Sequence, residues 1–259
     1  MKKLEGLEKV TEFIKIVVAS NFIEGVPLSL LIIAPVSSGK TTAIKQFQIN
    51  KNILITTDTT KQGILSKYQE KLRNSEIKCI IVPDLLNVLA KRETSVKDFL
   101  TFVNASSEDG IFPSKTYVLN VEQYIPPFSW ILCLTDEGFK SKHKYLKGIG
   151  FLSRFFVVKW KYTPEQIEKI LQNIINEEFF KIPDVVLKCK KKKVKIEKNI
   201  KVFEELVTYS KLLSASESEA IRLQRKFQTF LKSCAYLRGA RKVEAQDLEK
   251  LKNLIELIK

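Results

Sequence analysis

The chain has 259 residues, 44% of them hydrophobic and 28% charged, so it is long enough to bury a substantial core and its composition excludes general disorder. Its 44 Lys and Arg residues outnumber its 29 Asp and Glu residues, and the formal net charge of +15 indicates a polyanionic partner, with nucleic acid the first candidate. We expect neither a membrane span nor a secretion signal. Four scattered cysteines without a Cys-x-x-Cys pair argue against a structural zinc site and predict a reduced, cytoplasmic location.

Short apolar, β-rich runs alternate with helix-compatible stretches up to about residue 161, which predicts an α/β fold with a parallel sheet covered by helices. The predicted strands are Ser29–Ile33, Ile53–Thr57, Lys78–Val82, Trp130–Thr135 and Phe155–Trp160. Each run is almost continuously apolar, as expected for strands buried on both faces. A further β-rich segment, Lys115–Gln123, predicts an inserted strand or hairpin.

After Trp160 the apolar residues take a helical spacing, and Thr163 followed by Pro164 is typical of a helix start. We therefore divide the chain into an α/β domain, residues 1–161, and an all-α lid domain, residues 162–259. Within the second, the lysine run Lys188–Lys195 is too charged to be a core element and predicts an exposed loop.

The first predicted strand leads into Ala34-Pro35-Val36-Ser37-Ser38-Gly39-Lys40-Thr41-Thr42 and then into a helix-compatible run. This is the Walker A pattern of P-loop proteins, with Ala34 in place of the first glycine. In that pattern backbone N–H groups cradle phosphates, Lys40 reaches the β- and γ-phosphates, and the Thr41 hydroxyl binds Mg²⁺. The loop from Pro35 to Thr42 therefore predicts binding of ATP with magnesium. Alanine at position 34 requires a negative φ, so the loop must begin differently from the usual one.

Asp84 follows the third predicted strand and is our second candidate for holding Mg²⁺, the alternative being a solvated turn acid. In many ATPases the next residue is a glutamate that activates water, but here it is Leu85. The catalytic base is therefore left open among Glu108, Asp109 and Glu137.

Thr135 ends the fourth predicted strand, which we expect to emerge between the first and third strands. A polar group there can orient the attacking water, so Thr135 is a candidate catalytic sensor. Capping the next helix is an equally good interpretation of this threonine.

The order of phosphate loop, acid-ended strand, polar-ended strand, Gly150–Phe155 segment and helical lid resembles an AAA+ ATPase, from about Phe13 to the end of the chain. The resemblance implies a homo-oligomeric ring, such as a hexamer, in which Arg154 acts as an arginine finger on a neighbour's nucleotide. It also implies a sensor arginine on a lid helix that contacts the γ-phosphate, for which Arg222 is the candidate. Arg225, Arg238 and Arg241 are alternatives for the sensor arginine. The Gly150–Phe155 segment is most similar to ring helicases and helicase loaders of the minichromosome-maintenance type.

The basic charge makes DNA the expected substrate of such an engine, with Lys140–Lys147 and Lys188–Lys195 as candidate phosphate contacts and the inserted hairpin as a pore element. The first hypothesis is an ATP-driven helicase, translocase or helicase loader in DNA replication or mobile-element maintenance. A protein-remodelling AAA+ chaperone is an alternative. A slowly hydrolysing, ATP-dependent assembly switch is another, which Leu85 favours.

Overall fold

A computed structural model describes residues 6–115, 120–175, 184–187, 190–196, 200–214 and 216–258. The strands are β1 (Leu30–Ile33), β2 (Ile53–Ile55), β3 (Cys79–Val82), β4 (Ser114–Lys115), β5 (Asn120–Val121), β6 (Ser129–Leu134) and β7 (Phe156–Lys159). The helices are α1 (Glu8–Ala19), α2 (Lys40–Lys45), α3 (Lys61–Arg73), α4 (Leu85–Leu89), α5 (Glu93–Glu108), α6 (Asp136–Gly148), α7 (Pro164–Ile175), α8 (Ile200–Leu212), α9 (Glu217–Leu237) and α10 (Ala245–Ile255).

The central sheet has five parallel strands in the order β2-β3-β6-β1-β7. The predicted α/β class and all five predicted strands are confirmed, with ends that differ by one or two residues. The fourth predicted strand, β6, pairs with both β1 and β3, as the sequence predicts. All carboxyl ends therefore lie at one edge of the sheet and all amino ends at the other.

Side-chain alternation assigns each face of the sheet to a different set of helices. Leu30 and Ile32 of β1 face a core shared with α1, α2 and the C-terminal helices α8, α9 and α10. Leu31 and Ile33 face a second core formed with α3, α4, α5 and α6. The strands are apolar throughout because both of their faces are buried.

The C-terminal helices pack directly on the sheet. Phe227 and Phe230 of α9 contact Phe156 of β7, and Phe230 also contacts Phe13 of α1. The chain end adds a backbone bond from the Lys159 amide to the Leu257 carbonyl. These helices thus share one apolar cluster with the sheet, and the boundary at residue 161 stays a prediction.

Two other predicted segments are partly described. β4 and β5 form an antiparallel hairpin whose base is closed by an Ile111–Ile125 bridge, and residues 116–119 at its tip lie outside the described residues. Of the lysine run, residues 188 and 189 also lie outside them. The described part contradicts our expectation that the run contributes nothing to the core, because Val194 is buried beside Ile23 and Ala235.

None of the helices in the described part of the chain combines the length and apolar character needed to cross a membrane.

Candidate functional site

The phosphate loop leaves the carboxyl end of β1 while still attached to the neighbouring strand. The Ala34 amide donates to the Leu134 carbonyl at 3.2 Å, and Ala34 is fully buried. Left-handed backbone occurs later, at Ser37 (φ 59°) and Gly39 (φ 78°). Alanine is therefore accommodated at position 34 because the turn requires a positive φ only further along the loop.

Lys40 begins α2 and folds back over the loop. Its Nζ donates to the carbonyls of Ala34 at 2.8 Å and Pro35 at 2.5 Å, and to Ser38 Oγ at 3.2 Å. Ser38 Oγ in turn donates to the Pro35 carbonyl at 2.6 Å. An ammonium that satisfies three oxygens in this way is a preorganised donor, and phosphate oxygens can replace those partners.

Three carboxylates influence the charge of Lys40. Burial lowers the pKa of Lys40, whereas Asp136, Asp84 and Glu137 act in the opposite direction by favouring its charged form. Cys133 also lies near Lys40, but burial raises the pKa of its thiol to about 12, so it is uncharged at neutral pH. The structure thus places Asp84, Asp136 and Glu137 within electrostatic range of Lys40, and Glu137 is the one of the three candidate bases found there.

Asp84 has a structural role as well as a position near Lys40. It precedes α4, and its Oδ1 accepts a hydrogen bond from the Leu86 amide at 3.0 Å. Leu85 is fully buried in the core on one face of the sheet, so its side chain does not take part in the site.

The oxygen atoms at this edge suit magnesium. Thr41 is exposed in the first turn of α2, and its hydroxyl and the Asp84 carboxylate are hard ligands of the kind that Mg²⁺ takes together with substrate phosphates. The residues therefore fit a Mg²⁺ ion bound along with a nucleotide. Within the described ranges, no group of three or more His, Cys, Asp and Glu side chains is placed to hold a metal.

Thr135 lies directly beside the loop, one residue after the Leu134 carbonyl that binds Ala34. It is the N-cap of α6, and its Oγ1 accepts a hydrogen bond from the Gly138 amide at 3.1 Å. Thr135 therefore caps α6, as one of the two interpretations predicts. Its hydroxyl also lies at the edge of the sheet where a nucleotide would bind, so a catalytic role stays a prediction.

Arg154 lies at the opposite edge of the sheet. It ends a 3₁₀ turn, Leu152–Arg154, just before the amino end of β7, whereas the phosphate loop follows the carboxyl end of β1. Four strand residues separate the two edges by roughly 13 Å. The Arg154 side chain is only 21% exposed, with Nε 3.3 Å from Glu108 Oε2 and Nη1 donating to the Gly150 carbonyl at 2.7 Å.

Arg222 joins Arg154 rather than the phosphate loop. Its Nε is 3.1 Å from Glu108 Oε1, and its Nη1 donates to Ser153 Oγ at 2.6 Å. The structure therefore does not bring Arg222 to the Lys40 of its own chain, because α9 packs across β7 and places this side chain at the amino edge.

Glu108, one of the three candidate bases, is the acid with which both Arg154 and Arg222 pair. Asp109, which directly follows α5, lies at the same edge.

The other arginine alternatives are distributed differently. Arg238 stabilises the start of α10 through Asp247 at 2.9 Å and Glu244 at 3.0 Å. Arg225 is exposed on α9, and the backbone carbonyl of Arg241 accepts from the Lys195 amide.

Two notable residues were missed by sequence reasoning. Tyr162 lies against the loop, since a Cβ added at Gly39 would be 2.6 Å from its hydroxyl oxygen, and nothing in the local sequence pattern indicates this contact. Burial raises the pKa of the Tyr162 hydroxyl, and Glu8 adds to the shift. Lys226 binds the turn that carries Arg154. The sequence does mark Lys226 as unusual, because positions 223, 227 and 230 form an apolar helical face and this lysine lies on the same face.

No protein-family model matches this chain, and no curated protein is significantly similar to it.

Proposed function

We propose that this protein is an AAA+-type ATPase that binds ATP with Mg²⁺ at its phosphate loop and works on DNA as a homo-oligomer. The observation that carries the proposal is Lys40, held above a loop with left-handed Ser37 and Gly39 and facing the carboxylates of Asp84, Asp136 and Glu137. A lysine, a loop of backbone amides and acids at the carboxyl edge of a parallel sheet suit a triphosphate and its metal.

The strand order supports the same site. β6 lies between the strand that leads into the loop and the strand that ends before Asp84, so Thr135 emerges beside both. Catalysis of phosphoryl transfer is mainly positioning and charge stabilisation, and groups on neighbouring strand ends can supply both.

Each residue then has a defined task. Lys40 exchanges the carbonyls of Ala34 and Pro35 for the β- and γ-phosphate oxygens. Thr41 and Asp84 would hold Mg²⁺, which would supply positive charge to the phosphates. Glu137 is our choice for accepting the proton of the attacking water, since it lies near Lys40 whereas Glu108 pairs with arginines.

Arg154 acts on the nucleotide of a neighbouring subunit. Its place at the amino edge separates it from its own loop, and an arginine supplied in trans stabilises transition-state charge. Arg222, in the same cluster, serves that interface rather than the γ-phosphate bound by its own chain.

The proposal that the protein works on DNA is based on its exposed positive charge. Lys140, Lys144 and Lys147 are exposed along α6, which begins directly after Thr135, and Lys190, Lys191 and Lys193 are exposed on the segment docked near the end of α9. Such surfaces bind phosphates without reading sequence. Coupling ATP turnover to movement on DNA would make the protein a helicase, translocase or helicase loader.

One observation favours a second candidate, a switch that binds ATP and hydrolyses it slowly. Leu85 occupies the position where a water-activating glutamate is expected, and it is fully buried. In that case Glu137 would contribute little, and ATP would mainly drive assembly.

The experiment measures ATP binding and hydrolysis alone, with single-stranded DNA, with duplex DNA and with an unfolded protein. We expect tight binding of Mg²⁺–ATP and a rate that DNA raises in a salt-dependent way. Lys40→Ala should abolish both ATP binding and hydrolysis. Lys45→Ala, which removes an exposed lysine in the last turn of the same helix, should change neither.

ATP binding unaffected by Lys40→Ala would refute the site. Stimulation by unfolded protein alone would replace DNA with a protein substrate, and binding without turnover would favour the switch.

A further inference from the structure

The turn that carries Arg154 is bound by a lysine from another part of the chain. Lys226, on α9, donates from Nζ to the Ser153 carbonyl at 2.7 Å and to the Phe155 carbonyl at 2.9 Å. These are the residues on either side of Arg154. A single side-chain nitrogen therefore holds the backbone at both ends of the residue proposed as the finger.

A second side chain of α9 reinforces this contact. Arg222 lies one turn before Lys226 on the same helix face and donates to Ser153 Oγ at 2.6 Å. It also shares Glu108 with Arg154. Helix α9 is in turn anchored on the sheet by Phe227 and Phe230, so the turn is attached to a rigid element.

The arrangement is expensive for a purely structural contact. Arg154 and Arg222 both pair with Glu108, and Lys226 lies within electrostatic range of Glu108 and of a second acid, Glu219. Burial lowers the pKa of Lys226 to about 7, Glu108 opposes that shift, and the neighbouring Arg222 adds to it. Like charges held close together in a partly buried cluster repel each other, and groups with perturbed pKa values are concentrated at functional sites.

We propose that Lys226 is a positioning residue for Arg154, fixing the backbone from which Arg154 reaches the nucleotide of a neighbouring subunit. This inference rests on the proposed function. Both hydrogen bonds that Lys226 donates here go to backbone carbonyls, so the Arg154 guanidinium can change partners while its backbone stays in place.

One nitrogen of the Arg154 side chain lacks a hydrogen-bond partner, although Nη1 donates to the Gly150 carbonyl. Its Nε is buried and lies at ion-pair distance from Glu108, yet makes no hydrogen bond. An unsatisfied buried donor favours exchange for a better acceptor. A phosphate oxygen supplied by a neighbour is such an acceptor, and Glu108 would then retain Arg222 as its partner.

The test compares Lys226→Met with Lys232→Met, a lysine further along the same helix. We expect Lys226→Met to lower kcat by roughly tenfold to a hundredfold, as when an oriented catalytic group is misplaced, with the KM for ATP changed less than about threefold because the phosphate loop is untouched. Lys232→Met should leave both constants unchanged. Lys226→Gln, whose amide still donates, should lie between Lys226→Met and wild type. If Lys226→Met does not fold by circular dichroism, Lys226→Gln takes its place throughout.

Mixed oligomers separate positioning from structural damage. A Lys226→Met subunit still has an intact loop, and a Lys40→Ala subunit still has an intact Arg154. If Lys226 acts in trans through Arg154, mixing the two variants should restore part of the activity. Wild-type kcat in both Lys226 variants would overturn the inference, and so would a rise in KM without a fall in kcat.

A parallel mixture of Arg154→Ala with Lys40→Ala identifies which proposal has failed. If this mixture recovers activity and the Lys226→Met mixture does not, the inference about Lys226 is wrong while the finger stands. If neither recovers although the wild type hydrolyses ATP, the trans finger in the proposed function is itself wrong, and the inference falls with it.

Discussion

The two edges of the central sheet carry opposite arrangements of charge. At the carboxyl edge the carboxylates of Asp84, Asp136 and Glu137 act electrostatically on Lys40. At the amino edge Glu108 pairs with Arg154 and Arg222, and Lys226 lies within electrostatic range of the same carboxylate. Acidic groups predominate around Lys40 and basic groups around Glu108, and the parallel sheet keeps these two clusters at opposite edges of one chain.

This difference indicates how the two edges would meet. The basic cluster around Glu108 and the acids around Lys40 lie at opposite edges of one molecule and would attract each other if copies stacked head to tail, and such heterologous contacts form rings when the rotation closes. A triphosphate at the carboxyl edge would add negative charge at the place where a neighbour's Arg154 arrives. The predictions below test whether the two edges form one site.

The largest effect is expected for Arg154→Ala. An arginine finger contributes at least about 10³-fold to kcat, so a loss of that order is expected while ATP still binds to the loop. Steady-state kinetics together with ATP binding measured by calorimetry would check it. Arg225→Ala, which removes an exposed arginine of α9, is the control and should be neutral. A fall in kcat of less than tenfold would mean that the amino edge takes no part in hydrolysis.

Glu137→Gln tests which acid of the carboxyl edge activates water. A general base contributes about 10²-fold or more, and we expect kcat to fall by roughly that factor with little change in the KM for ATP. Asp109→Asn, at the amino edge and exposed, should retain wild-type kinetics. Equal rates for wild type and Glu137→Gln would favour the slow assembly switch, in which the carboxyl edge binds ATP without an efficient base.

The two edges also differ in how far the sequence predicts them. The carboxyl edge could be predicted because its residues follow strand ends directly, and parallel strands bring their carboxyl ends together. Lys40, Asp84 and Thr135 are all of this kind. Leu85 could be recognised as a departure, although its complete burial required the structure.

The amino edge depends on how distant segments pack. Arg222 is 68 residues beyond Arg154 in the chain, and its spacing on α9 predicts a helix face but not the strand that this face meets. The contact with Ser153 arises because Phe227 stacks on Phe156, which places α9 across β7. Lys226 on an apolar face was a visible anomaly, but its partners at residues 153 and 155 were not.

The pH dependence of stability tests the cluster at the amino edge. The pKa of Lys226 falls from 10.5 to about 7 on folding, so between these values the unfolded chain binds more protons than the folded protein. Stability must then rise with pH from about 7 to 10.5, by at most about 1.4 kcal/mol per pH unit for one proton. We expect the difference in unfolding free energy between wild type and Lys226→Met to increase from pH 7 to 9.5 and to stay flat below pH 7. Lys232→Met is the control, and a difference that does not vary with pH would mean that Lys226 keeps an ordinary pKa.

The smallest effect concerns Thr135, where capping and catalysis coincide. The chain offers a matched control in Thr60, the N-cap of α3, whose Oγ1 accepts from the Gly63 amide at 3.0 Å just as Thr135 accepts from Gly138 at 3.1 Å. Thr60 follows β2, three strands from β1, or roughly 14 Å across the sheet.

Replacing either threonine with valine should lower the unfolding free energy by about 1 kcal/mol, since each change removes one cap. Only Thr135→Val should also lower kcat, by roughly tenfold, the value of one hydrogen bond to the attacking water. Denaturant unfolding and kinetics on the two variants measure both quantities, and Thr135→Ser should restore each. Equal kcat in both valine variants would mean that Thr135 only caps α6 and has no catalytic role. The carboxyl edge would then orient water through Glu137 alone, which would make the Glu137→Gln result the stronger test of hydrolysis.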